Sequence, residues 1–139
     1  MAAEQGESMT SILFKLPPFG KFVDALIEAG IQTKTARGFW GGVNPDGDII
    51  LTAWIDFNDG DGRFYVWRPP TNHGGLKEQW QVGNIRVGTN VRLILVRPRK
   101  EVPMGEKRQV AGAALLPAKW RVAKMTPDKP YQAIVELAA

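Results

Sequence analysis

Residues 48–68, DIILTAWIDFNDGDGRFYVWR, decide how the chain is read. Residues 48–57 alternate in polarity and residues 63–68 are rich in β-forming side chains, while Asn58, Asp59, Gly60, Asp61 and Gly62 between them are turn formers. A β-hairpin is the expectation. If Phe57 faces Phe64, the constant sum of an antiparallel ladder sets Ile55 against Val66 and Trp54 against Trp67. One face then carries Ile49, Leu51, Ala53, Ile55, Phe57, Phe64 and Val66, aliphatic enough to be core. The other carries Ile50, Thr52, Trp54, Asp56, Tyr65 and Trp67. Two readings of that second face stand side by side. Its rings are covered by a barrel interior or a helix, as large aromatics commonly are, or they form an exposed platform where each stacked base contributes about 1–3 kcal/mol.

Upstream, Asn44, Pro45, Asp46 and Gly47 mark a tight turn, so residues 38–43 are expected to pair on the other side of the same strand. Phe19, Phe22, Val23, Leu26 and Ile27 recur at helical spacing after Pro17 and Pro18, and Gly30 stands where a left-handed C-cap ends a helix. Residues 11–15 read as a short strand. Residues 1–10 read as a flexible tail, without the basic start and apolar run of a secretory signal.

Downstream, strands are expected at residues 84–87, 91–97, 108–116, 120–125 and 131–137, with turns at residues 88–90, 103–105 and 126–128 separating most of them. The longest uncharged apolar stretch, residues 110–118, is too short to span a bilayer. The expected fold class is α+β: a single domain over residues 11–137, built as a strongly bent antiparallel β-sheet or small β-barrel of seven to eight strands with one N-terminal amphipathic helix. A sandwich is the alternative.

With 139 residues, 44% hydrophobic and 23% charged, the chain has the composition of a soluble globular protein, and a cytoplasmic location is expected. Zero cysteines exclude disulfides, thiolate zinc sites, iron–sulfur clusters and cysteine nucleophiles. The single histidine, His73, excludes a multi-histidine metal site and leaves one candidate base for a triad. Counting an EF-hand loop from Asp46 or Asp59 puts no Glu at position twelve, so turn chemistry accounts for both Asp/Gly clusters. No catalytic residue, metal or cofactor is therefore expected. Asp56 and His73 remain polar candidates for a pocket.

Charge is segregated along the chain. Before residue 71 there are six Lys/Arg against nine Asp/Glu, and from Thr71 onward twelve against five, so a net of −3 is followed by +7. Much of that excess gathers where the apolar residues 91–96 run into Arg97, Arg99 and Lys100, and where the returning strand opens with Lys107 and Arg108. Forked guanidinium donors on a hairpin suit phosphate oxygens, and Arg92, Lys119, Arg121 and Lys124 extend the patch. The rival reading is that charged strand ends keep sheet edges from aggregating.

The stretch Ile85-Arg86-Val87-Gly88-Thr89-Asn90-Val91-Arg92-Leu93-Ile94-Leu95, followed by a charged loop and Val110-Ala111-Gly112-Ala113-Ala114, resembles the strand-loop-strand core of PUA-like β-barrels of the EVE and ASCH type. The segment Phe39-Trp40-Gly41-Gly42-Val43-Asn44 is similar to a tryptophan-containing segment of EVE domains. The resemblance covers about a third of the chain and implies a nucleobase pocket.

The leading expectation is a non-enzymatic nucleic-acid-binding module. Arg97, Arg99, Lys100, Lys107 and Arg108 hold phosphates, and Trp54, Trp67 or Trp40 stacks a base. The alternatives are a small-molecule-binding barrel with a Trp-lined pocket, an enzyme using His73 with an acidic partner, and a protein-interaction or assembly module.

Overall fold

A computed structural model describes residues 9–31, 41–67, 86–100, 109–125 and 132–138. Its first element is a helix, α1 (Met9–Phe14), where the sequence reading expects a strand. Spacing explains the difference. Met9, Ile12, Leu13 and Leu16 recur at i, i+3, i+4 and i+7, the stripe of a helix that buries one face. Treating residues 1–10 as a tail hides Met9, the first member of that stripe. Met9 and Ile12 are buried, and Leu13 and Leu16 pack beside them.

The one helix expected from the sequence is present but shorter, as α2 (Phe22–Glu28). It starts only after Gly20, whose N–H donates to the Ala113 carbonyl at 2.9 Å and whose carbonyl accepts from the Ala113 N–H at 2.8 Å. Those two bonds commit Gly20 to a β-bridge and leave Lys21 as the extended N-cap residue. At the other end Gly30 has φ +88°, its N–H reaching the Ile27 carbonyl and the Ile31 N–H the Leu26 carbonyl. This is the paired 5→2 and 6→1 bonding of a Schellman cap. Ala25 and Leu26 are buried, whereas Ile27, expected on the core face, is 59% exposed.

Six strands follow: β1 (Gly41–Val43), β2 (Ile49–Trp54), β3 (Arg63–Trp67), β4 (Asn90–Pro98), β5 (Val110–Met125) and β6 (Gln132–Leu137). They form a mixed sheet in the order β1-β2-β4-β5-β6-β3, open at β1 and β3. The expected antiparallel sheet or barrel of seven to eight strands with one helix is thus overturned. β2 and β4 run parallel, from Ile50↔Arg92 to Trp54↔Val96, no strand ladder among the described residues closes the sheet, and there are two short helices.

The hairpin over residues 48–68 is where that expectation fails. The turn itself forms as expected: the Asp59 carboxylate accepts from the N–H groups of Asp61 and Arg63, and Asn58 donates to the Ile55 carbonyl. Beyond it a bridge between Asn58 and Phe64 and a bond from the Tyr65 N–H to the Phe57 carbonyl join the two limbs, with no ladder between β2 and β3. β1 pairs with Ile49–Leu51 on one side of β2, and β4 takes the other side as far as Trp54 and on to the Ile55 N–H, which donates to the Val96 carbonyl at 2.9 Å. β3 instead pairs antiparallel with β6, Phe64 against Val135 and Val66 against Ala133.

The turn at Asn44 and the pairing of β1 with β2 agree with the sequence, although residues 38–40 lie outside the described residues. Residues 84–85 also lie outside them, and Val87 and Gly88 form a turn rather than a strand. The two strands expected at residues 108–116 and 120–125 are one strand, β5. The register against β4 slips between Arg92↔Lys119 and Ile94↔Leu115, and Pro117 falls within that slip. A bulge is where proline, lacking a donor, fits a strand.

Side chains alternate to opposite faces of a strand, so each face of the sheet builds its own core. Leu51, Ala53, Phe64, Val66, Val91, Leu93, Leu95, Trp120 and Val135 pack together beneath α1. Ile50, Trp54, Ile94, Val96, Ala113 and Leu115 pack against Ala25, Leu26 and Ala29 of α2 and its cap. Of the aliphatic face expected for residues 49–66, Ile49, Leu51, Ala53, Ile55, Phe64 and Val66 join the first of these clusters, whereas Phe57 packs against the second.

Candidate nucleic-acid interface

β4 and β5 make the basic hairpin that the sequence anticipates. Arg97 pairs with Gly112 and Pro98 with Val110, and the Arg99 N–H donates to the Gln109 carbonyl at 3.0 Å. Arg97, Arg99 and Lys100 are exposed at the end of β4. Lys107 and Arg108 lie outside the described residues.

Arg97 is held in place. Its guanidinium carbon sits 4.4 Å from the centroid of the Phe19 ring, within the range of a cation–π contact. Phe19 reaches that position because Gly20 is bonded to Ala113 and because Gly112 has no side chain. A Cβ on Gly112 would stand 3.3 Å from the Phe19 Cβ and 3.6 Å from the Gly20 carbonyl oxygen. The cation is therefore positioned by the segment between α1 and α2.

Trp54 does not join this patch. Trp54 is only 7% exposed and lies in the cluster under α2, so the expectation that its ring stacks a base is corrected. It does not face Trp67 either: the backbone of Trp54 pairs with Val96, that of Trp67 with Gln132. Arg97 follows Leu93 and Leu95 in alternation and rests on Phe19 of the first cluster, whereas Trp54 belongs to the second. They occupy opposite faces of the sheet. Trp40 and His73 lie outside the described residues. Asp56 is half-buried in the turn after β2.

On the α2 face, beyond that helix, runs a second row of cations. The Glu136 carboxylate accepts from Arg121 Nη2 at 2.5 Å and from Arg63 Nε at 3.1 Å. The hydrogen bond from Arg121, aided by Arg63, holds the Glu136 carboxyl below its ordinary range although burial opposes this. Arg121 is thus committed to an internal ion pair. Arg92 and Lys119, directly opposite each other across β4 and β5, are in no ion pair with the described residues. Arg92 Nη2 donates to the Leu116 carbonyl at 3.3 Å, while its Nε is shielded from solvent with no acceptor. Lys124 is exposed near the end of β5.

Reading along the chain does place Arg92 and Lys119 in the basic half. It misses that the parallel pairing of β2 with β4 brings Asp48 and Asn90 beside them around one pocket. No group of three or more His, Asp or Glu side chains among the described residues could hold a metal ion. None of the described helices is long and apolar enough to cross a membrane. Compared with family models, curated proteins and solved structures, the chain has no match.

Proposed function

We propose that the protein is a non-enzymatic nucleic-acid-binding module that grips phosphates with its β4–β5 hairpin. The observation that carries this reading is the group of three exposed cations, Arg97, Arg99 and Lys100, at the end of a paired strand. Phosphate oxygens take forked guanidinium donors well. Prior positioning of Arg97 by Phe19 lowers the side-chain entropy lost on contact. In sequence, Lys107 and Arg108 add two more charges on the returning limb.

Phosphate contacts position a nucleic acid without reading it, so binding through this hairpin is insensitive to base sequence and steep in salt. Fluorescence anisotropy with random single- and double-stranded oligonucleotides tests the reading. Three phosphate contacts give a log–log salt slope of about −2 for single strands and about −3 for duplex. Absence of a salt-sensitive interaction with either would remove the reading.

A further inference from the structure

Asp46-Gly47, Asp59-Gly60 and Asp61-Gly62 are the three Asp-Gly pairs of the chain, and all lie in turns among the described residues. In such a pair the glycine nitrogen can attack the carboxyl carbon that precedes it, because glycine has no Cβ to block the approach and the reacting groups belong to one short segment. All three glycines have positive φ, from +81° to +93°, so glycine conformation does not rank them. Hydrogen bonding does. The Gly47 N–H donates to the Asn44 carbonyl at 3.0 Å, and the Gly60 N–H donates to Asn58 Oδ1 at 3.0 Å. The Asp59 carboxylate is committed as well, accepting at Oδ1 from the N–H groups of Asp61 and Arg63. Asp61 is exposed, and its carboxylate has no hydrogen bond or ion pair with the described residues, nor does the Gly62 N–H donate to any of them.

We propose that Asp61-Gly62 is a modification site, where the chain isomerises to isoaspartate through a succinimide with water as the co-reactant. The Gly62 nitrogen bonds to Cγ of the protonated Asp61 carboxyl. The Cγ–OH bond breaks, and the hydroxyl leaves with the amide proton as water. A second water then opens the ring. Its attack at Cγ restores aspartate, whereas attack at the main-chain carbonyl breaks the bond from that carbon to the Gly62 nitrogen. The chain then runs through Cγ and the old main-chain carbonyl becomes a free carboxylate, with no atom gained or lost overall. Gly62 is buried, but the attack is internal to the chain, and the exposed Asp61 side chain gives water its access. The product carries one more main-chain atom inside the turn that the Asp59 N–H and the Arg63 carbonyl close at 3.1 Å. This chemistry is independent of nucleic-acid binding.

Peptide mapping of the full chain after incubation at neutral pH and physiological temperature tests this, with electron-transfer fragmentation separating isoaspartate from aspartate at equal mass. At Asp46 and Asp59 an amide hydrogen bond must be released before attack, so isoaspartate is expected to form at Asp61 about three- to tenfold faster than at either. Asp61→Glu, which would require a six-membered ring, is expected to abolish the product at that position. The urea-unfolded chain is the second measurement: with the turn bonds gone, the three pairs are expected to react at similar rates. Isoaspartate that forms at Asp46 or Asp59 as fast as at Asp61 in the folded chain overturns the proposal, as does its absence at Asp61. An equal preference for Asp61 in the folded and unfolded chains also overturns it, because the fold would then have no part in the selection.

Discussion

The Arg97 guanidinium stacks on the Phe19 ring at 4.4 Å, joining the basic hairpin to the segment between α1 and α2. The two residues are far apart in sequence, and three local facts bring them together: the Gly20–Ala113 bridge, the missing side chain at Gly112, and the alternation that turns Arg97 to the α1 face. On the proposed reading, a cation held in this way is positioned before its phosphate arrives.

Phe19→Leu keeps an apolar group against the first cluster and removes the ring. A cation–π contact at an exposed site contributes about 0.5–1 kcal/mol. Oligonucleotide affinity is therefore expected to fall by about two- to fivefold. Equilibrium titration measures this, and thermal unfolding in parallel separates lost positioning from lost fold.

Gly112→Val puts methyl groups where a Cβ alone already meets Phe19 at 3.3 Å. Overpacking of this kind costs about 1–3 kcal/mol. Urea denaturation should show the unfolding free energy falling by that amount, and oligonucleotide affinity should fall with it because Phe19 is displaced from Arg97.

Asn44 is buried in the turn between β1 and β2, donating from Nδ2 to the Ala29 carbonyl at 2.9 Å and accepting at Oδ1 from the N–H groups of Asp46 and Asp48. One side chain thus joins the end of α2 to the sheet. Asn44→Ala leaves the Ala29 carbonyl without its donor, at an expected cost of about 1–3 kcal/mol in chemical denaturation. Asn44→Asp is expected to cost stability as well, because a carboxylate cannot donate to that carbonyl.

Glu136 gives the fold a pH dependence of known sign. Its carboxyl titrates lower in the folded chain than its ordinary value of 4.5, chiefly through the hydrogen bond from Arg121. The resulting stabilisation is present above that value and is lost as pH falls through the lower, folded one. Glu136→Gln is expected to cost about 1 kcal/mol at pH 7, the scale of a partly exposed ion pair. Denaturation midpoints of the two proteins should converge as the pH is lowered below 4.5.

Local features were legible in the sequence and partner choice was not. Gly30 announces its left-handed cap, the 58–62 turn its Asx bonds, and the apolar run ending at Arg97 its hairpin with β5. All three depend on neighbouring residues. β2 reads as one limb of a hairpin because Phe64 and Val66 follow a turn at the right distance, yet β4 occupies the edge they would need. Nothing near β2 in sequence reports that competition. The same non-local pairing placed Asp48 and Asn90 beside Arg92 and put Trp54 under α2. For Trp54, an alternating strand pattern could not distinguish a solvent-facing side from one covered by a helix.

Removing one hairpin cation and reading the salt dependence addresses the proposed function most directly. Arg99 is exposed, and its backbone, not its side chain, bonds to Gln109, so Arg99→Ala leaves the hairpin intact. If Arg99 contacts a phosphate, the log–log slope of oligonucleotide affinity against salt becomes shallower by about one in Arg99→Ala. A slope identical to that of the unaltered protein would contradict phosphate gripping by this hairpin.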